Sequence, residues 1–219
     1  VPFALTRLGN YRQGEWQIDE VTDVFAPRDF VIAVCFNLLA PWSGEPTRYW
    51  CKFNATYSSE ALAGQILVPT VRHGGNKYFL MNRAYGAFIG VAPLVFPRGF
   101  IPRVEGDLSA QAVAQNLIER KLQACLTACG ASVKGPVQLL ETTKGALRLA
   151  EDQGTSGNWL TVTTVEIELD PARFEKLPRE FRNFKLVPVD DFLRLVQSGD
   201  IVDLHTLSAY VAYVAVNKG

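Results

Sequence analysis

From Ser109 to Cys129 the chain holds neither Gly nor Pro, and Gly130 follows at once. Ile118, Leu122, Cys125 and Cys129 recur there at helical spacing, with Leu117 and Leu126 beside them, while Gln115, Glu119 and Gln123 take another face. The pattern predicts one continuous helix over 109–129. Ser109 is placed to cap its start, and Gly130 stands where a left-handed C-terminal cap is wanted. Strand-like segments lie on both sides of this helix, which constrains the chain to an architecture that packs helices on sheet faces.

The strands are read from short β-rich runs. Residues 31–39 are apolar but for Asn37 and predict a buried strand. Tyr49, Cys51, Phe53, Ala55 and Tyr57 fall at every second position of 47–57, the period of a half-buried strand. Residues 65–72 and 77–83 flank His73-Gly74-Gly75-Asn76, a hairpin signal. Residues 87–96 form another apolar run, closed by Pro97 and Gly99. After the long helix, 159–169 and 184–187 read as strands and 189–197 as a short helix. The segment 203–216 reads as a final helix with Leu204, Leu207, Tyr210, Val211 and Val214 on its apolar side. Residues 1–30 are mixed in character, and no internal repeat or low-complexity linker divides the chain.

The 219 residues are 48% hydrophobic, and 13 Phe with 4 Trp exclude disorder as the main state. Lys+Arg and Asp+Glu are both 22, so no net charge draws the chain to nucleic acid or to an anionic membrane. A local basic patch stays open. No apolar run approaches the roughly 20 residues of a membrane span. The opening Val-Pro-Phe-Ala-Leu-Thr-Arg-Leu lacks the pattern of a signal peptide, and a cytoplasmic, reducing setting is expected.

Cys35, Cys51, Cys125 and Cys129 sit in apolar or helical runs and are expected as core thiols, because neither His73 nor His205 stands near them to complete a zinc set. His73 is expected as a solvated turn residue, and His205 on a helical face or cap. Gly74-Gly75 is no phosphate loop, since no Lys-Ser/Thr and no helix follow. Arg98 beside Gly99 reads either as a phosphate contact or as a surface Arg beside a turn. Trp16, Trp42 and Trp50 with Tyr11 and Tyr49 are expected in core packing or a subunit interface, the other reading being a stacking surface for a base.

The segment Phe96-Pro97-Arg98-Gly99-Phe100 resembles the entry to the catalytic loop of the Nudix hydrolases, in particular the ADP-ribose pyrophosphatase branch. Gly99 and Glu105 match that family's opening G-x5-E, and a helix ending in Gly130 follows. Glu151-Asp152-Gln153-Gly154-Thr155-Ser156 is similar to its acidic, Gly-containing turn. The tail from Leu186 through Gly199-Asp200-Ile201-Val202-Asp203 to Leu207 is similar to its ending. The resemblance implies an α+β fold, a mixed-sheet α/β/α sandwich of Nudix type over 61–219. It also implies an additional N-terminal β layer over 1–60 that serves in dimerisation.

The departure from the family is chemical. Its helix presents R-E-x-x-E-E, because Mg²⁺ or Mn²⁺ bridging a pyrophosphate wants carboxylate oxygens converging from one helical face. Anchored on Gly130, the Arg position falls on Gln123 and the Glu positions on Ala124, Thr127 and Ala128. The interval from Glu105 to Gly130 is longer than the motif's, but sliding the register supplies no paired Glu. Glu119 is the only acid between Ser109 and Gly130. The small neutral residues predict a face packed shut by a neighbouring loop or strand.

The reading that follows is a degenerate Nudix-fold protein, a non-catalytic nucleotide- or partner-binding or structural subunit. No cofactor is expected, and Arg98 and Gly99 are the candidate ligand contacts, for a nucleoside diphosphate derivative. The alternative is a divergent pyrophosphohydrolase of ADP-ribose-like nucleotides, in which Glu105, Glu119, Glu151 and Asp152 are the candidate acids and hold Mg or Mn. A homodimer or a larger assembly is expected, with neither membrane nor nucleic acid as partner.

Overall fold

The computed structural model describes residues 17–25, 31–39, 46–54, 62–84, 92–100, 110–142, 145–150, 159–174 and 183–217. The chain divides into two compact units. One is Val1–Ala63 with Ile101–Asp107 and Ala150–Leu160; the other is Gly64–Phe100, Leu108–Leu149 and Thr161–Gly219.

In the first unit, β1 (Gln17–Phe25), β2 (Val31–Leu39) and β3 (Pro46–Asn54) form an antiparallel sheet in that order. β2 and β3 pair in unbroken register from Val31 opposite Asn54 to Leu39 opposite Pro46. β1 meets β2 through two register shifts, between Ile18 and Glu20 and between Val21 and Asp23. Those shifts break the strict alternation that marks a strand in sequence, which is why β1 is hidden in the mixed segment 1–30.

The second unit is built on β4 (Leu62–His73) and β5 (Asn76–Arg83). Gly74 and Gly75 join them with φ of 56° and 79°, the left-handed pair that a tight hairpin turn requires. β6 (Leu94–Val95) and β13 (Phe184–Pro188) pair with β5, and β7 (Arg98–Phe100) pairs with β4, all antiparallel. β8 (Ser132–Leu139) pairs antiparallel with β12 (Trp159–Glu168), and β11 (Arg148–Ala150) lies beyond β12. β9 (Glu141–Thr142) and β10 (Gly145–Ala146) form a small hairpin. β12 lies beside β4. Gln65 Nε2 donates to Thr161 Oγ1 at 3.3 Å, and Thr70 Oγ1 donates to the Val165 carbonyl at 3.4 Å. The two strands therefore advance in the same direction and make the sheet mixed.

Helices cover both faces. On one side lie α1 (Ala110–Lys121) and α2 (Gln123–Cys129), where the spacing predicts a single helix. Leu122 interrupts it with φ −115°, yet its N–H still reaches the Ile118 carbonyl at 2.8 Å and its own carbonyl accepts from Leu126 at 2.9 Å. The hydrogen-bond track therefore runs through the break. Gly130 ends it in the left-handed conformation, and the Ala131 N–H closes back on the Leu126 carbonyl at 2.8 Å. Leu117, Ile118, Leu122 and Leu126 pack against Leu67, Val71, Leu80 and Val165 of the sheet.

The opposite face carries α4 (Phe192–Gln197), which follows a 3₁₀ turn at Val189–Asp191, and α5 (Leu204–Asn217). Phe79 sits at its centre. Its ring meets Phe96 and Tyr213 edge-on at 5.2 Å, while Phe192 stacks on Tyr210 at 3.9 Å. Tyr78 and Leu80 belong to the cluster on the α1–α2 side, so strand alternation alone separates the two cores. The short α3 (Pro171–Phe174) brings the Phe174 ring onto His73, centroids 4.0 Å apart. His73 is thus half-buried and stacked rather than simply solvated.

α5 turns inward a side that matches only part of the one its hydrophobicity predicts: Tyr210 of that side stacks on Phe192. Thr206, Ala209, Ala212 and Tyr213 are buried, whereas Leu204 and Val211 are 67% and 65% exposed. The small Ala209 and Ala212 let the helix approach the aromatic core closely, a selection that a tally of apolar residues does not make.

Candidate functional site

β7 sets the geometry. It pairs with β4 so that Arg98 stands opposite Ile66 and Gly99 opposite Gln65. Successive strand residues point to opposite faces, and the two candidate ligand contacts are separated accordingly. Gly99 lies against α1: a Cβ placed there would be 2.8 Å from Leu117 Cδ1 and 3.5 Å from Arg120 Nη2. Leu117 is fully buried and has no room to withdraw, so glycine is required by close packing.

Arg98 projects to the other face, where α5 begins. Its Nη1 donates to Asp203 Oδ1 at 2.9 Å and Oδ2 at 3.0 Å, and contacts His205 Nδ1. Asp203 Oδ2 also accepts from the Thr206 N–H at 2.9 Å and the Thr206 hydroxyl at 2.8 Å, which makes Asp203 the N-cap of α5. Thr206 Oγ1 in turn accepts the buried Phe96 N–H at 3.2 Å. The geometry thus ties Arg98 to a helix cap. The sequence reading starts the final helix at Asp203 but gives Asp203 and Thr206 no capping role, although Asp three residues ahead of a hydroxyl side chain at a helix start is a legible capping signal.

The helix face that would carry the metal ligands is open. Gln123, Ala124 and Thr127 are all exposed, which overturns the expectation that a neighbouring loop or strand closes over them. Gln123 Nε2 donates to Thr127 Oγ1 at 3.0 Å, so the two polar side chains satisfy each other along the helix. Glu119 is exposed too, and its Oε1 accepts from Gln115 Nε2 at 3.1 Å. Glu105, Glu151 and Asp152 lie outside the described residues, as do Ser109, Tyr11, Trp16 and Trp42. Among the described residues no group of three or more His, Cys, Asp or Glu could hold a metal ion. A single carboxylate flanked by Arg120 and Lys121 is a poor donor set for a hard dication, so this helix face does not fit the metal that the resemblance implies.

A groove of about 480 Å³ lies between β11 and α5. Leu147, Leu149, Leu207, Val211 and Ala215 line it, and among the described residues that line it none is charged. No helix among the described residues is long and apolar enough to cross a membrane.

No family model matches the chain, and no curated protein sequence matches it either. Among solved structures it is similar to one described as a crystal structure of an ADP compounds hydrolase. The TM-score is 0.60, with 94% of this chain and 95% of that chain covered, and the sequences are 12% identical. The fold is Nudix-like. At that identity the likeness carries the architecture and nothing further. A Nudix-like mixed sheet between two helical layers is what the resemblance of the Phe96–Phe100 and Gly130 segments implies.

Proposed function

We propose that this Nudix-like protein binds a nucleoside diphosphate derivative of the ADP-ribose class without hydrolysing it. The observation that carries this reading is the exposed face of α2, where Gln123, Ala124 and Thr127 stand in place of carboxylates. An open face keeps a ligand cleft accessible. The missing acids remove the means to gather metal ions and to activate a water. Calorimetric titration of the full chain with ADP-ribose, followed by chromatography of the mixture, tests both halves. Saturable binding with the nucleotide recovered intact is expected, and absence of binding refutes the reading.

A second reading, a divergent metal-dependent pyrophosphohydrolase, is favoured by the fold likeness to an ADP compounds hydrolase. It requires Glu119 to act with Glu105, Glu151 or Asp152 on Mg²⁺ or Mn²⁺. The proposal also includes self-association through β1–β3, supported by Val21, Val24 and Phe25, which are exposed on β1.

A further inference from the structure

We draw no further inference here: the strongest candidate, the apolar groove that Leu147 and Leu149 form with Leu207, Val211 and Ala215 of α5, is an apolar face of which nothing among the described residues shows what covers it.

Discussion

Arg98 and Asp203, 105 residues apart in sequence, meet through Nη1 at 2.9 Å from Oδ1 and 3.0 Å from Oδ2, and so fasten the first residue of β7 to the start of α5. The carboxylate is 15% exposed and the guanidinium side chain 42%. The pair therefore contributes modestly by charge, and more through the cap that Asp203 forms on Thr206.

The buried end of this network is its sensitive point. Thr206→Val leaves the Phe96 N–H without an acceptor and should cost about 1–3 kcal/mol in urea unfolding. Thr206→Ser keeps the hydroxyl and should recover most of that. Arg98→Ala should cost less than about 1 kcal/mol. An Arg98→Ala loss exceeding that of Thr206→Val would show that the ion pair dominates.

Gly99→Ala drives a methyl group into Leu117, at 2.8 Å from its Cδ1. The expected destabilisation is about 1–3 kcal/mol. In a double-mutant cycle Leu117→Ala should relieve the added strain, so that the two losses sum to more than the double mutant shows. Simple additivity would place the cost of Gly99→Ala elsewhere.

The open face of α2 makes a metal site restorable. Ala124→Glu with Thr127→Glu and Ala128→Glu introduces acids on a face whose described positions 124 and 127 are exposed, so the triple variant should fold. Mn²⁺ at a hundredfold its dissociation constant should then stabilise it by about 2.7 kcal/mol, read as a rise in melting temperature that the parent protein lacks. A variant that unfolds, or that ignores Mn²⁺, would show that the face is not shaped for a metal even with its ligands returned.

One pH effect has a definite sign. Arg194, hydrogen-bonded to Asp191 at 3.0 Å across the start of α4, holds the Asp191 carboxyl below its ordinary value. A carboxyl depressed in the folded state contributes stability above its unfolded value of about 3.9, and that contribution is lost as pH falls through the lower folded value. Both groups lie in solvent, so the effect is small and screened by salt. Asp191→Asn should lower the melting temperature slightly at pH 7 in low salt, and by less as the pH falls below the ordinary carboxyl value of about 3.9. An equal loss at pH 7 and below that value would exclude the ion pair as its cause.

The exposed Val21, Val24 and Phe25 predict that the chain associates with itself through β1–β3. Light scattering at tens of micromolar should give more than the monomer mass, and Phe25→Glu should reduce it. A monomer at that concentration would contradict this.

Legibility in the sequence followed the strength of local signals. β2 and the Gly74-Gly75 hairpin were readable because an unbroken β-rich run and a left-handed glycine pair each admit few other structures. β8 was not, because Gly135-Pro136 reads as a break; the structure absorbs the two residues in a register shift opposite Thr164 and Glu166. The buried side of α5 is only partly legible because that helix carries no Asp, Glu, Lys or Arg to mark its wet face. That the helix over 109–129 holds a single acid, Glu119, is visible in the residues themselves. Whether small side chains leave a cleft open or let it close depends on packing from distant segments, and the pairing of Arg98 with Asp203 depends on the whole fold.

The central claim is binding without hydrolysis. The most direct measurement is AMP release from ADP-ribose by the full chain with saturating Mn²⁺. No release above background is predicted, with the nucleotide still bound and intact. Turnover near an ordinary enzyme rate, roughly 1 s⁻¹ or more, abolished by Glu119→Gln, would contradict it and establish a metal-dependent hydrolase built on different acids.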